Sequence, residues 1–137
     1  MNSLKAKDRI LIIDDDSDIL DSLSRILMFE GYAIETAKSG QEALKKSREK
    51  IFSIALIDIK LPDFEGTQLL SRMEKTDPKM RKVIITGYQT LENTREALRL
   101  GADDYLVKPI KTEELLDTVR KQIEERSKEF EDKYVLL

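Results

Sequence analysis

Four of the short apolar runs in this sequence end in residues that could do chemistry. Ile10-Leu-Ile-Ile runs into Asp14-Asp15-Asp16, Ile54-Ala-Leu-Ile into Asp58, Val83-Ile-Ile into Thr86-Gly87, and Tyr105-Leu-Val into Lys108-Pro109. Brought together, three carboxylates a few ångströms apart repel one another and raise each other's pKa unless a cation lies between them. A hard cation with oxygen ligands resolves that conflict, and Mg²⁺ (or Mn²⁺ in its place) suits it. A lysine ammonium and a threonine hydroxyl beside the cation complete a set able to neutralise the three oxygens of a phosphoryl group. The carboxylate best placed for in-line attack would then be a nucleophile and carry an acyl phosphate. An ionised carboxylate attacks directly, so this step needs no general base.

Composition agrees with that chemistry by what it removes. The chain has no histidine and no cysteine. The usual general base, the commonest zinc ligands, disulfides and thiol nucleophiles are therefore all excluded. The net charge is −3 and the basic residues form no block, which argues against direct nucleic-acid binding by this chain. No apolar run approaches the roughly 20 residues that span a membrane. The short polar start, residues 1–9, lacks a signal-peptide core. A cytoplasmic location is the expectation. With 137 residues the chain suffices for one compact domain rather than two.

The reactive residues converge only if the runs before them are strands of one sheet. Runs over residues 10–13, 33–37, 54–57, 83–85 and 105–107 are too short for helices and rich in β-formers, which predicts five strands. Three are almost continuously apolar, as suits a parallel sheet covered on both faces. Helical patterns lie between them. Ile19, Leu20, Leu23, Ile26 and Leu27 form one stripe, with Ser17 able to cap its start and Gly31 its end. Ser39-Gly-Gln-Glu42 is a capping box for a second helix. Leu69, Leu70 and Met73 mark a third, stopped near Asp77-Pro78. Residues 90–100 form a fourth with a thin stripe (Leu91, Ala97, Leu98), and a fifth starts near Thr112. Gly66 suits a backbone needing positive φ at the entry to the third helix. Alternating β and α units with right-handed crossovers give a doubly wound α/β sheet, and the flavodoxin-like (βα)5 order 2-1-3-4-5 is the common small solution. Its binding crevice lies at the carboxyl ends of the strands, where the reactive residues fall. A lone aspartate after a strand is ordinarily a turn or cap residue; a carboxylate pair, a third carboxylate, a threonine and a lysine at four such ends are not explained that way.

In these segments the chain resembles the receiver domains of two-component response regulators, from about Arg9 to Arg126. The resemblance rests on Ile10-Leu-Ile-Ile-Asp-Asp-Asp, Leu56-Ile-Asp-Ile-Lys-Leu-Pro-Asp-Phe-Glu-Gly, Val83-Ile-Ile-Thr-Gly-Tyr and Gly101-Ala-Asp-Asp-Tyr-Leu-Val-Lys-Pro. It implies that Asp14 and Asp15 hold Mg²⁺, Asp15 directly and Asp14 largely through water. It implies that Asp58 is the phosphoacceptor and that the backbone carbonyl of Lys60 completes the metal site. Asp16 falls outside the acidic pair and suits a helix cap. Thr86 would be the switch hydroxyl, Lys108 would pair with a phosphoryl oxygen, and Tyr105 would be the switch aromatic that turns inward when the threonine moves. Pro109 would follow a cis peptide. The side chains of Lys60 and Tyr88 would border the phosphoryl group and tune its hydrolysis. The implied donor is a sensor histidine kinase or a phosphotransfer protein. The implied output surface is the fourth helix, fifth strand and fifth helix, through which a homodimer is one arrangement.

Residues 1–126 are thus expected to form the receiver and residues 127–137 a helical extension of the fifth helix or a linker or frayed tail. The segment from Thr112 on has no glycine or proline, and Leu116, Val119, Ile123, Phe130 and Leu137 share a heptad stripe interrupted by Arg126 and Lys133. Its last apolar residues are costly to leave in water, which points to a partner or to a missing output or sensor domain. Two other functions compete. An aspartyl-phosphate hydrolase ordinarily carries a second aspartate two residues after its nucleophile, where this chain has Lys60. A pseudo-receiver that only binds partners ordinarily lacks one of the acidic pair, acceptor, threonine or lysine, and here all are present. The expectation is a signalling module whose only catalysis is its own phosphotransfer and dephosphorylation.

Overall fold

The structure, a computed structural model, describes residues 8–76, 79–87 and 91–135; the side chains of 76, 91–94 and 130–135 lie outside that description. Its elements are β1 (Arg9–Ile13), α1 (Ser17–Phe29), β2 (Ala33–Ala37), α2 (Gly40–Glu49), β3 (Ile54–Asp58), α3 (Gly66–Thr76), β4 (Arg81–Thr86), α4 (Leu91–Arg99), β5 (Asp104–Val107) and α5 (Thr112–Val135). All neighbouring strands are parallel and their order is β2-β1-β3-β4-β5, the doubly wound flavodoxin-like sheet expected from the alternation of elements.

The two faces of the sheet bury alternate residues, as the period of two in a strand demands. Ile10, Ile12, Ile54, Leu56, Val83, Ile85 and Leu106 pack with α1 and α5. Leu11, Ile13, Ala55, Ile57 and Ile84 pack on the opposite face with α2, α3 and α4. Each fully buried aliphatic side chain contributes about 1.5–3 kcal/mol over its exposed state, so these central strands anchor the fold. α1 is capped by Asp16, whose side chain accepts from the Asp18 N–H, and Ser17 is the first helical residue instead of the cap. The capping box of α2 forms with a shift: Ser39 Oγ accepts from the Glu42 N–H, while Glu42 Oε2 accepts from Lys38 rather than from Ser39. The helices α1 and α4 are followed by Gly31 and Gly101 at positive φ, 100° and 111°, where a glycine carries no steric penalty.

Several local expectations are corrected. β4 begins two residues before its apolar run because Arg81 and Lys82 belong to the ladder. The Lys82 side chain is fully buried, and its ammonium donates to the Met80 carbonyl at 2.6 Å and pairs with Glu74 at 3.0 Å. On α4, Ala97 is buried but Leu98 is half exposed, so Leu98 lies off the packing stripe; the Leu91 side chain and Thr90 lie outside the described residues. The inner edge of α5 is Leu115, Val119 and Gln122, with Leu116 and Ile123 on its flank. α5 continues as one helix to Val135, and Glu129 on its later part pairs with Arg81 at 2.8 Å. Leu136, Leu137 and the Phe130 and Tyr134 side chains lie outside the described residues, as do Asp77, Pro78 and Tyr88.

Gly66 does not have positive φ. Its role is close approach: a Cβ there would lie 2.5 Å from the Ile59 Cα and 2.9 Å from the Asp58 carbonyl oxygen. The Gly66 N–H donates to the Ile59 carbonyl at 2.6 Å, so the first turn of α3 folds directly back on the end of β3. That contact sets the loop that carries the acceptor.

Candidate functional site

The register of the sheet brings the expected residues together. Ile13 is level with Ile57 and Asp58 with Ile85, so Asp14 follows β1 beside Asp58 at the end of β3. Thr86 ends β4, and its carbonyl accepts from the Lys108 N–H at 2.8 Å. The Lys108-Pro109 peptide is cis.

Asp14 is fully buried and highly engaged. Its N–H donates to the Ala37 carbonyl at 3.0 Å, its Oδ1 accepts from the Asp16 N–H at 2.9 Å, and its Oδ2 accepts from Lys108 Nζ at 3.1 Å. Asp58 is buried, accepts from the Lys60 N–H at 3.2 Å, and has its other oxygen 3.7 Å from Lys108 Nζ. Asp15 is exposed at the mouth of the crevice. One carboxylate oxygen from each of Asp14, Asp15 and Asp58 lies within 4.8 Å of the others. Asp16 is spent on its helix cap and does not join them.

The electrostatics show strain that a cation would relieve. Burial pushes the Asp58 carboxyl up from 3.8 to about 6, and the neighbouring Asp14 charge adds to the rise; the Lys60 N–H and the Lys108 ammonium only partly oppose it. The Lys108 ammonium is shared between Asp14 and Asp58. An all-oxygen donor set with one open, solvated side fits a small hard divalent ion that keeps several waters. Asp14, Asp15 and Asp58 are the side chains that could hold it, and the Lys60 N–H reaches Asp58 beside them.

Thr86 is buried and Tyr105 half-buried. Tyr105 is level with Ile84, two residues before Thr86, and packs against the cluster that contains Ile84 and Ala97. Residues two apart on a strand share a face, so Thr86 and Tyr105 belong to the α4 side of neighbouring strands. The Lys60 side chain is exposed, and its backbone bridges Glu65 across the loop. Tyr88 lies outside the described residues. Beside Lys108 a groove of about 330 Å³ opens between α1 and the start of α5, lined by Ile19, Ser22, Leu23, Pro109 and Ile110.

Two residues that sequence reasoning did not single out also shape this end of the molecule. The Asp63 carboxylate accepts from the N–H groups of Gly40 and Gln41, at 2.8 and 2.9 Å, on the first turn of α2. The neighbouring Phe64 ring covers Gly40. The partners are 22 and 23 residues away from Asp63, so no local pattern could have revealed them.

Comparison with known proteins bears on what this crevice is for. Residues 10–120 match the response regulator receiver domain family. A CheY-like response regulator receiver domain protein from Methanospirillum hungatei superposes with a TM-score of 0.86 at 48% identity, over 89% of this chain and 98% of that one. The beryllofluoride-activated NtrC4 receiver domain dimer gives 0.83 at 35% identity, over 86% of this chain and 98% of that one. The transcriptional regulatory protein ZraR of Salmonella typhimurium is 33% identical over 120 residues, 88% of this chain but 27% of that protein. The chain spans about a quarter of the length of ZraR and AlgB and about half of that of the Bacillus subtilis regulator YkoG.

Proposed function

Since this chain belongs to the response regulator receiver domain family, we propose that it is a phosphorylation-activated switch in which Asp58 accepts a phosphoryl group from a histidine kinase or phosphotransfer protein, with Mg²⁺ bound. The observation that carries this is the convergence of Asp14, Asp15 and Asp58, with Lys108 spanning the two buried carboxylates. Asp14, Asp15, Asp58 and the Lys60 carbonyl would hold Mg²⁺ or Mn²⁺, whose charge would offset that of the phosphoryl oxygens. Asp58 is mostly ionised at neutral pH with a pKa of about 6, so it is available as the nucleophile. A bond forms between a carboxylate oxygen and phosphorus as the bond from phosphorus to the donor's imidazole nitrogen breaks. The Lys108 ammonium, drawn to Asp14 and Asp58 in the resting state, would turn to a phosphoryl oxygen, and the Thr86 hydroxyl would donate to another. Nothing in this set provides a second carboxylate in the acid/base position taken by Lys60, so phosphoryl groups should accumulate on the chain.

The groove beside Lys108 supports docking of the donor next to the acceptor, since its apolar floor of Ile19, Leu23, Pro109 and Ile110 is a few residues from the crevice. Transmission would run from Thr86 to Tyr105 and the surface of α4, β5 and α5, where the half-exposed Leu98 offers apolar area to a partner or to a second copy of this chain. Among the described residues no helix is long and apolar enough to cross a membrane, and a cytoplasmic place suits a kinase partner. The first 126 residues would be the receiver and the rest of α5 a helical lead to an output or sensor domain.

Incubation with Mg²⁺ and a small acyl-phosphate donor tests the proposal. The expected result is one stable phosphoryl group per chain. Continuous release of phosphate without a labelled protein would make the chain a hydrolase, and no incorporation would make it a binding module alone.

A further inference from the structure

We propose that Asp63 is a positioning residue for the metal site, holding the loop after β3 by its seat on the first turn of α2; this rests on the proposed Mg²⁺ and phosphoryl chemistry at Asp58. The loop between β3 and α3, residues 59–65, is closed at its base. The Ile59 N–H extends the ladder to the Ile85 carbonyl, Gly66 packs on Ile59, and Lys60 bridges Glu65. Within the loop, the Leu61 N–H donates to the Phe64 carbonyl at 3.2 Å. Its tip is also held by other elements. The Asp63 carboxylate takes two N–H groups at the start of α2, where the helix dipole favours a negative charge. The Phe64 ring lies over Gly40 with the Arg72 guanidinium 4.7 Å from its centre.

This anchor attaches at two points, one through each carboxylate oxygen. A carboxylate gripped by two backbone amides on a helix end cannot rotate without breaking both. Its neighbour Phe64 needs the bare Gly40 backbone, because a Cβ there would come 2.2 Å from Phe64 Cδ2. Lys60 sits between this anchored tip and Asp58, whose carboxylate it already contacts through its N–H. Orientation of the Lys60 peptide, and so of its carbonyl, is set by its bridge to Glu65 together with where the tip is held. α2 also follows β2, whose last residue, Ala37, accepts from the Asp14 N–H. The same helix start thereby ties the β3–α3 loop to the strand edge that supports the acidic pair.

The test compares Mg²⁺ affinity, by amide NMR titration, in the parent, Asp63→Ala, Gly40→Ala and a control, Ile10→Val, which trims a buried side chain at the other end of β1. Asp63→Ala and Gly40→Ala are expected to raise the Mg²⁺ dissociation constant roughly tenfold, at the lower end of what losing an outer-shell partner costs a metal site. Phosphorylation of Asp63→Ala by an acyl-phosphate donor should be slow at low Mg²⁺ and return to the parent rate at saturating Mg²⁺. Ile10→Val should lose stability and keep parental affinity. Parental affinity in both Asp63→Ala and Gly40→Ala would overturn the positioning role and leave the metal site intact. A parent that shows no saturable Mg²⁺ shifts around Asp58 would instead remove the site itself.

Discussion

Asp58→Asn should lose all phosphoryl incorporation and yet melt higher than the parent when metal is absent. The first effect follows from removing the nucleophile. The second follows from linkage. Asp58 has its folded pKa raised from 3.8 to about 6, first by burial and then by the Asp14 charge. A carboxyl raised on folding destabilises the folded state once it must ionise there. The penalty is absent below about pH 4, grows as pH rises through the interval between the two values, and is complete above about pH 6. A shift of this size corresponds to at most about 3 kcal/mol at neutral pH, or on the order of ten degrees in melting temperature for a domain of this size. Asparagine keeps the volume and an acceptor for the Lys60 N–H while omitting the charge. The gain in stability over the parent should therefore be large at pH 7.5 and vanish near pH 4. Thermal melts of both proteins across that range, in EDTA, give the comparison; an unchanged difference at all pH values would point to packing in place of charge. Saturating Mg²⁺ should narrow the gap, because it stabilises the parent by mass action on the folded state. Asp14 is a different case. Crowding alone suggests that Asp14→Ala relieves repulsion, but Asp14 is paired with Lys108 and accepts from Asp16, so its loss should lower stability.

Asp15→Ala should abolish saturable Mg²⁺ binding and reduce phosphorylation by at least the roughly 10–100-fold that loss of a mere outer-shell partner costs a metal site. Asp15 stands at the open mouth of the crevice, so its side chain supports none of the core and the variant should fold like the parent. Without the ion, Asp14 and Asp58 face an incoming phosphoryl group with the Lys108 ammonium already shared between them. Repulsion between the buried carboxylates and the phosphoryl oxygens then opposes the approach that Asp58 needs. The parent in excess EDTA should behave as Asp15→Ala does in Mg²⁺. Rapid labelling of either would show that the charge balance is met by protein groups alone.

Much of this was legible in the chain because the signals are local. Runs such as Ile10-Leu-Ile-Ile and Ile54-Ala-Leu-Ile mark buried parallel strands, and the residue just past each strand must lie at the carboxyl edge of the sheet. Asp14, Asp58, Thr86 and Lys108 could therefore be placed together before any coordinates. Features that depend on tertiary partners were not legible. Lys82 falls just outside the apolar run that starts at Val83, and its burial depends on Glu74 and the Met80 carbonyl, which receive its ammonium. Gly66 reads as a positive-φ glycine, whereas the close pass of Ile59 explains it. Asp63 carries no local signal, because its partners on α2 lie far along the chain. Leu98 falls on a plausible helical stripe, but only Ala97 of that pair turns toward the core.

The central claim is that a phosphoryl group at Asp58 changes the α4–β5 surface through Thr86. Amide shift maps of the parent and Thr86→Ala, each with and without Mg²⁺ and the phosphoryl mimic beryllofluoride, address it most directly. In the parent the mimic should perturb α4 and β5 around Tyr105 more than it perturbs α1. In Thr86→Ala the mimic should still shift amides beside Asp58, but the changes around Tyr105 should largely disappear. Equal perturbation around Tyr105 in both proteins, or none in the parent, would contradict the account.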